Sequence, residues 1–286
     1  MNGIVIIDKP AGWTSQDVVS KLRGVLHTRR IGHGGTLDPM ATGVLPVFVG
    51  RGTRAVEFFE HAEKTYETVL RLGITTDTED VTGEVLETRE VSVTEEQFRN
   101  VLERFRGDIQ QIPPMYSALK INGQKLCDLA RKGKQVERQP RTVTIHRLDC
   151  LSFDGQTAQL RVTCSKGTYI RTLCKDIGEA LGCGGCMESL RRTAAGAYTI
   201  DEAVELAVLV EAVDPEQYLR PVDSMFTGYP AVTLTEKQAL RCRNGNSFSI
   251  ELPDGTYRAY DQAGEFLMLA QVDSGVMSTI KSFFDV

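Results

Sequence analysis

The chain has 286 residues, of which 41% are hydrophobic and 25% charged, a composition typical of a folded protein with one or two domains. No apolar stretch approaches the ~20 residues that a helix needs to cross a bilayer, so no membrane-spanning helix is predicted. The net charge of −5 argues against a uniformly basic nucleic-acid-binding protein, and the N-terminus lacks the pattern of a signal peptide. We therefore expect a cytoplasmic protein.

The average charge conceals two segments of opposite sign. Residues 77–103 contain nine acidic side chains and two arginines, whereas residues 120–147 contain eight basic side chains and two acidic ones. A basic segment of this kind can attract phosphate groups while the whole protein stays soluble. The alternative is an ordinary solvated surface.

The seven cysteines predict reduced core thiols in a cytosolic protein. Cys183 and Cys186 have the spacing of metal ligands, but no second cysteine or histidine pair lies at a zinc-finger distance. We therefore predict no metal site.

The first elements in chain order are a short strand, a helix and a second strand. Residues 4–7 form an apolar run typical of a buried strand, and Thr14 can cap a helix with an apolar stripe on one side. The apolar run 44–49 predicts a second buried strand.

Between this helix and the strand at 44–49 lies a loop, residues 32–46, of small and turn-forming residues. It carries Asp38 five positions after His33, and Pro39 restricts the backbone of Asp38 to an extended conformation. A rigid loop that holds one carboxylate at the edge of a strand is better suited to catalysis than to packing.

The remaining elements alternate irregularly between strands and helices. Strands are predicted at residues 64–73, 142–151 and 158–164, and helices from the capping box at Thr94, at 170–181, at 201–213 and, within the basic segment, at 125–132. Without a regular βαβ repeat, this order favours an α+β fold with a mixed, mostly antiparallel sheet. Neither a P-loop nor a dinucleotide-binding glycine motif is present, so we expect no cofactor.

The pattern changes near residues 226–230, after which a short helix at 235–243 and several short strands follow. We therefore predict two domains: residues 1–228 form the larger one, and residues 229–286 form a small β-rich one.

The loop at 32–46 resembles the catalytic motif of the bacterial tRNA pseudouridine synthase B family, G-H-T-G-T-L-D-P followed by A-T-G-x-L-P, with Gly34 in place of the usual threonine. Other segments resemble further family motifs in the same order: residues 8–15, 64–66, 165–171 and 189–196. The resemblance implies the pseudouridine synthase fold with a PUA-like C-terminal domain.

The resemblance also implies a catalytic set that needs neither metal nor cofactor. Asp38 would be the nucleophile, attacking either C1′ or C6 of uridine, and Arg171 would be its counter-ion. Tyr66 would stack on the flipped base and abstract the C5 proton; without the resemblance, a tyrosine on an alternating strand is more often a core residue.

Further residues would bind RNA or shape the pocket. His33 would fill the space left by the flipped base, Tyr169 and Leu190 would line the pocket, Lys9 would support its floor, and Lys64 would contact phosphate. Residues 120–147 would form an RNA-clamping insertion that is poorly ordered without RNA, with contacts from Lys120, Arg131, Lys132 and Arg141.

The sequence thus predicts an isomerase that converts uridine 55 in the T-loop of tRNA to pseudouridine as a monomer, without guide RNA, an obligatory protein partner or a membrane. Three alternatives remain. They are a tRNA-binding or folding module with little or no catalysis, a methyltransferase with a cysteine nucleophile, and a related enzyme that works with guide RNA and protein partners.

Overall fold

A computed structural model describes residues 1–117, 119–121 and 123–284 of the chain. The helices are α1 (Ser15–Val25), α2 (Val56–Phe59), α3 (Glu95–Leu102), α4 (Leu126–Ala130), α5 (Ile170–Ala180), α6 (Leu206–Glu211) and α7 (Glu236–Arg243). The strands are β1 (Gly3–Lys9), β2 (Ile31–His33), β3 (Thr42–Val49), β4 (Lys64–Leu72), β5 (Ile74–Thr76), β6 (Val85–Thr88), β7 (Gly107–Gln111), β8 (Lys120–Ile121), β9 (Gln124–Lys125), β10 (Arg141–Phe153), β11 (Thr157–Cys164), β12 (Gly185–Ala195), β13 (Tyr198–Thr199), β14 (Val204–Glu205), β15 (Ala231–Thr233), β16 (Phe248–Ser249), β17 (Gly255–Tyr260), β18 (Phe266–Asp273) and β19 (Val276–Ser282).

A 10-stranded mixed sheet forms the centre of the molecule. Its main order is β14-β1-β3-β12-β4-β11-β10-β7, with β2 added beside β3 and β13 beside β12. The pairs β1–β14 and β3–β12 are parallel, and the other pairs are antiparallel. The predicted α+β fold with a mixed, mostly antiparallel sheet is confirmed.

Strands β1 and β3 are buried on both faces of the sheet. Val5 and Ile7 of β1 point into a core shared with helices α1, α3, α5 and α6. Ile4 and Ile6, on the alternate positions, point into a second core with the segment around Phe59 and Phe226. This alternation explains why residues 4–7 form a continuous apolar run, because strands that are buried on both faces have no polar face.

The two predicted helix caps are confirmed. Thr14 accepts a hydrogen bond from the backbone N–H of Asp17, and the Asp17 carboxylate accepts one from the N–H of Thr14. Thr94 and Gln97 form the same reciprocal pair at the start of α3. Each capping box satisfies N–H groups that have no partner within the helix.

The continuous helix predicted at 201–213 is wrong. That region forms a 3₁₀ turn at Ile200–Glu202, then β14, and then the shorter helix α6. Val204 and Glu205 pair in parallel with Ile7 and Asp8 of β1, so tertiary pairing overrides the local helical pattern. The helix predicted at 125–132 is also shorter, since α4 covers only Leu126–Ala130.

A second sheet of five strands, in the order β15-β17-β18-β19-β16, forms the C-terminal region and packs against α7. Aromatic rings connect it to the segment before it: the ring centroid of Phe226 lies 6.1 Å from that of Phe266 and 5.9 Å from that of Phe283. Arg51 of the first region donates a hydrogen bond to the carbonyl of Phe283. No helix among the described residues is long and apolar enough to cross a membrane.

Candidate active site

A cavity of about 320 Å³ opens where the loop after β2, strands β4 and β12, and the start of α5 meet. Six of the residues selected from the sequence line it, and they are Asp38, Lys64, Tyr66, Tyr169, Arg171 and Leu190. A volume of this size is in the range of small-ligand sites. His33, Lys9, Arg131, Lys132 and Arg141 do not line it, and the side chain of Lys120 lies outside the described part of the chain.

The first residue of α1 fixes the loop that carries Asp38 through hydrogen bonds. The Ser15 hydroxyl accepts a hydrogen bond from the N–H of Leu37 at 2.8 Å and donates one to the carbonyl of Leu37 at 3.1 Å. The N–H of Ala41 donates to the carbonyl of Asp38, and the side chain of Leu37 is buried. The backbone on both sides of Asp38 is therefore fixed.

Lys9 anchors the same loop from inside the protein. Its side chain is fully buried, and Nζ donates to the carbonyls of Pro10 at 2.8 Å, Trp13 at 2.5 Å and Pro39 at 3.3 Å. Burial lowers the pKa of Lys9 to about 8, an effect that the nearby Asp38 carboxylate opposes. The ammonium has three hydrogens, so all its donors are used inside the protein.

Asp38 forms an ion pair with Arg171 at the base of the cavity. Arg171 Nε lies 2.9 Å from Asp38 Oδ2, and the arginine is almost completely buried. Its remaining donors bind backbone carbonyls, Nη1 that of Thr78 at 3.0 Å and Nη2 that of Tyr116 at 2.7 Å. The guanidinium is therefore held in one orientation, with one edge directed at the carboxylate.

A second carboxylate, Asp80, lies behind the arginine and was missed in the sequence. Its Oδ2 is 3.8 Å from Arg171 Nε, while its Oδ1 accepts hydrogen bonds from the hydroxyl of Thr78 and the N–H of Thr82 at 2.9 Å each. Asp80 is buried, although it belongs to the acidic segment 77–103. The run of five residues from Thr76 to Asp80, with three acidic side chains, was the available signal.

The environment of Asp38 raises the pKa of its carboxyl group. Burial is the largest cause, Arg171 lowers the pKa through its charge and hydrogen bond, and the negative charge of Asp80 raises it. About a third of the side chain remains exposed to the cavity, with a relative exposure of 35%. The carboxylate is thus accessible and poorly solvated, which suits a nucleophile.

Tyr66 and Arg192 form a further part of the cavity wall. They are paired residues of β4 and β12, and both line the cavity. Burial raises the pKa of Tyr66, with Arg192 acting in the opposite direction. The phenol is therefore protonated in the free protein at neutral pH.

Arg192 is a buried cation in this structure. Only 1% of it is exposed, Nε donates to the carbonyl of Val44 at 2.7 Å, and Nη2 donates to that of Gly35 at 3.2 Å. It therefore connects β12 to the loop that carries Asp38. Its neighbour Arg191 points to the other face of the sheet and pairs with Asp8.

Lys64 and Tyr169 are both fixed by hydrogen bonds that involve the backbone. Lys64 Nζ donates to the carbonyls of Ala62 at 2.5 Å and Glu60 at 3.3 Å, and burial lowers the pKa of this amine. The backbone of Tyr169, just before α5, exchanges hydrogen bonds with the side chain of the buried Gln111. Leu190 is also mostly buried, with 8% exposure, beside these groups.

His33 ends β2 next to the cavity without entering its wall. Its Nδ1 is buried and has no hydrogen-bond partner among the described residues. Burial and the charge of Arg192 lower the pKa of His33, so the imidazole is neutral near pH 7. A neutral ring is suited to stacking.

The basic segment lies outside the cavity. Arg131, Lys132 and Arg141 are exposed, and Arg131 Nη1 is 3.7 Å from the carboxylate of Asp128. Their contacts with RNA and the order of the segment stay predictions.

The cysteines have no partners of the kind that a metal or disulfide site requires. Each of the seven is a free thiol, and five of them, including Cys183 and Cys186, are buried. Within the described residues, no group of three or more histidine, cysteine or acidic side chains could hold a metal ion.

Two family models cover most of the chain. The one for the TruB family pseudouridylate synthase N-terminal domain matches residues 23–170, and the one for the tRNA pseudouridylate synthase B C-terminal domain matches residues 171–227. The protein named tRNA pseudouridine synthase B from Pseudomonas fluorescens strain Pf-5 is 47% identical over 95% of this chain and 92% of its own length. Its namesake from Stutzerimonas stutzeri strain A1501 is 46% identical, with the same coverage.

Solved structures share the fold. A chain of a Cbf5-Nop10-Gar1 complex aligns with a TM-score of 0.74 and 25% identity, covering 99% of this chain and 85% of that one. A chain of an H/ACA RNP bound to a substrate RNA containing 2′-deoxyuridine aligns with a TM-score of 0.73 and 23% identity, with the same coverage. With two family models matched in sequence and close relatives along nearly its whole length, the chain belongs to the TruB family of pseudouridylate synthases.

Proposed function

We propose that this protein isomerises uridine 55 in the T-loop of tRNA to pseudouridine. The observation that carries the proposal is the ion pair of Asp38 and Arg171 in a cavity that Tyr66 also lines. The relatives with 46–47% identity are named tRNA pseudouridine synthase B, which supports tRNA as the substrate.

The reaction begins with a uridine that leaves the stacked loop and enters the cavity, at a cost of a few kcal/mol. Asp38 attacks C1′ or C6, and the C1′–N1 bond breaks. The electron pair of the broken bond stays on N1 of the uracil, which then turns so that C5 bonds to C1′. The bond to Asp38 breaks, the C5 proton is lost to a base and then to water, and N1 takes up a proton, so that the product is an isomer of the substrate. No oxidant or group donor enters this balance.

Besides Asp38, four residues that line the cavity take part in this scheme. Arg171 holds the Asp38 carboxylate ionised and in line, and Tyr66 stacks on the base, which is worth ~1–3 kcal/mol for an aromatic platform. Because burial raises the pKa of Tyr66, its phenol must lose a proton within the complex if it is to accept the C5 proton. Tyr169 and Leu190 close the cavity around the detached base.

The RNA loop is held outside the cavity. His33 takes the space of the flipped base, and the basic segment grips the stem through Lys120, Arg131, Lys132 and Arg141. The protein acts as a monomer without guide RNA. Nearly full-length similarity to the proteins named tRNA pseudouridine synthase B supports independent action, whereas the solved relatives are named as parts of complexes.

The test is the release of tritium from unmodified tRNA labelled at C5 of uridine, without added cofactor. We expect the wild-type protein to release about one equivalent per tRNA, since one uridine is flipped in each molecule. Asp38→Asn should bind tRNA and release none. Tight tRNA binding without release by the wild-type protein would instead favour a binding or folding module, and release by Asp38→Asn would refute the assignment of the nucleophile.

A further inference from the structure

Gly34 lies in the loop that carries Asp38, and its backbone conformation does not require a glycine. Its φ angle lies outside the left-handed region, whereas the φ of the following Gly35 is +102°. The family motif has threonine at position 34, so a side chain is compatible with this type of loop. The reason for glycine must therefore lie in the space around it.

That space is filled by an aromatic ring. A Cβ atom on Gly34 would lie 2.6 Å from Cδ1 and 3.0 Å from Cε1 of Phe59, and 2.9 Å from Cε2 of Phe48. Carbon atoms in favourable contact are about 3.5–4.0 Å apart, so the Phe59 ring occupies the volume of any side chain at position 34.

The ring of Phe59 has no free space into which to retreat. It is 3% exposed at the end of α2, lies 6.0 Å from the ring of Tyr198 in a stacked arrangement, and lies 5.8 Å from the ring of Phe48. A Cβ on Gly196 would also be 3.0 Å from Phe59 Cε2. Interiors packed to this density transmit strain to their neighbours.

Phe59 also contacts the cavity wall. Lys64 Nζ lies 5.8 Å from the centroid of its ring, and the next residue, Glu60, lines the cavity with Gly34 and Lys64. The ring therefore lies between the start of the catalytic loop on one side and a buried cation of the cavity on the other.

We propose that Phe59 is a positioning residue and that Gly34 is its steric complement. The ring of Phe59 occupies the space that a side chain at position 34 would fill. The backbone leading to Asp38 therefore packs against Phe59, and no side chain at position 34 contributes to its packing. This inference rests on the proposed function, because positioning is measured here through pseudouridine formation.

The experiment compares four proteins: wild type, Gly34→Ala, Phe59→Leu and the double variant. Single-turnover rate and tRNA dissociation constant are measured for each. We expect Gly34→Ala to slow the reaction by about tenfold or more, because displacement of the reacting groups by a fraction of an ångström is costly. The dissociation constant should change less than about threefold.

The double variant is the decisive protein. The leucine side chain in Phe59→Leu lacks the ring edge that the new Cβ meets and leaves room for Phe48 to move. We therefore expect the double variant to recover at least about fivefold of the rate lost in Gly34→Ala. Gly34→Thr, which restores the family residue, should respond to Phe59→Leu in the same direction. A wild-type rate in Gly34→Ala, or a double variant at the product of the two single effects, would overturn the proposal.

Phe98→Leu is the matched control. Phe98 is fully buried and stacks on Phe153 at 4.5 Å between centroids, but does not line the cavity. It should lower stability as Phe59→Leu does while leaving the single-turnover rate unchanged. An equal fall in rate for Phe98→Leu would mean that Phe59 acts only as a core residue and has no positioning role.

The unfolding midpoints of the same four proteins give a test that needs no catalysis. Phe59→Leu should raise the midpoint of Gly34→Ala, or restore folding if Gly34→Ala alone does not fold, because the steric conflict is removed. Independent destabilisation by the two substitutions would overturn the pair. If the wild-type protein forms no pseudouridine, the proposed function and the positioning role fail, whereas coupled midpoints would still establish the steric pair.

Discussion

Two opposing effects act on the carboxylate of Asp38: burial away from water disfavours its negative charge, and the buried Arg171 stabilises it. Since burial is the larger effect, its pKa is raised above the ordinary value of about 3.9 for aspartate. In the proposed mechanism the ionised form attacks the uridine, so the rate should fall as the pH decreases through this raised pKa. The acidic limb of the pH–rate profile should therefore lie above the pH range in which an ordinary aspartate titrates.

Asp80→Asn should move that limb to lower pH. Its negative charge raises the pKa of Asp38, so its removal lowers that pKa and keeps the Asp38 carboxylate ionised in more acidic solution. The measurement is the single-turnover rate between pH 4 and pH 8. Glu95→Gln, an exposed change in α3, is the control, and an unmoved limb in Asp80→Asn would show that this charge does not act on Asp38.

Lys9→Met tests whether Lys9 anchors the catalytic loop or contacts RNA. The substitution removes the donor to the carbonyls of Pro10 and Trp13, whereas that of Pro39 still accepts from the N–H of Gly12. Each buried acceptor left without a donor costs ~1–3 kcal/mol, so we expect ~2–6 kcal/mol of destabilisation. Urea unfolding measures this loss. Equilibrium binding of tRNA by the folded variant should be unchanged, and a large loss of affinity at full stability would favour an RNA contact.

The site could be predicted from the sequence where a residue lies within an unusual motif. Four residues selected from such motifs line the cavity, and they are Asp38, Tyr66, Arg171 and Leu190. Asp80 could not be found in this way, because an acidic run gives no sign of which carboxylate is buried beside an arginine.

Arg191 and Arg192 show a related limit. Adjacent residues of a strand point to opposite faces, so only one of the two can face the cavity. The sequence does not say which face of β12 that is, and the structure assigns Arg192 to the cavity and Arg191 to Asp8.

At the level of elements, the β3–β12 pairing is the place where the two parts of the large sheet join. The register pairs Thr42 with Arg191 and Gly43 with Arg192. Gly43 has a φ of +100°, and a Cβ atom there would collide with the carbonyl oxygen of Arg192. Both the angle and the close approach require glycine.

Gly43→Ala should therefore disturb stability and catalysis together. We expect a loss of about 2 kcal/mol or more, since alanine is strained at this angle and meets the neighbouring strand. A shift of Arg192 and the loop by about 1 Å should slow the reaction on the order of 100-fold. Gly12→Ala is the control, because its φ is +82° and nothing lies within 4 Å of its Cβ position. Equal effects of the two substitutions would mean that strain alone is responsible.

Elements with strong local signals were predictable, and the exceptions have tertiary causes. Capping boxes placed the starts of α1 and α3, and apolar runs placed β1 and β3. Residues 201–213 were assigned incorrectly because the pairing of Val204 with β1 involves a partner almost 200 residues earlier, at Ile7. Such contacts are not encoded in a local pattern.

At the scale of the whole molecule, the two sheets share an aromatic core. Phe226 contacts Phe58 from the first region as well as Phe266 and Phe283 from the C-terminal region. The predicted division at residue 228 therefore falls beside a continuous set of rings, and no local pattern indicated how closely the two regions pack.

Phe226→Ala should weaken the association of the two sheets. Loss of a buried phenylalanine costs ~3–5 kcal/mol, and we expect the single unfolding transition of the wild-type protein to separate into two. Calorimetry and denaturant unfolding with two spectroscopic probes would detect this. Two transitions already present in the wild-type protein would contradict the prediction, and Phe98→Ala, within the first region, should lower the midpoint without splitting it.

The narrow pairing of β3 with β12 also has a mechanical consequence. Asp38 precedes β3 on one part of the sheet, whereas Tyr66 and Leu190 belong to β4 and β12 on the other part. Within the described residues, the registered backbone pairing between β3 and β12 covers two residue pairs. The cavity thus lies across this short pairing between the two parts of the sheet, so the distance between Asp38 and Tyr66 depends on how rigid that pairing is.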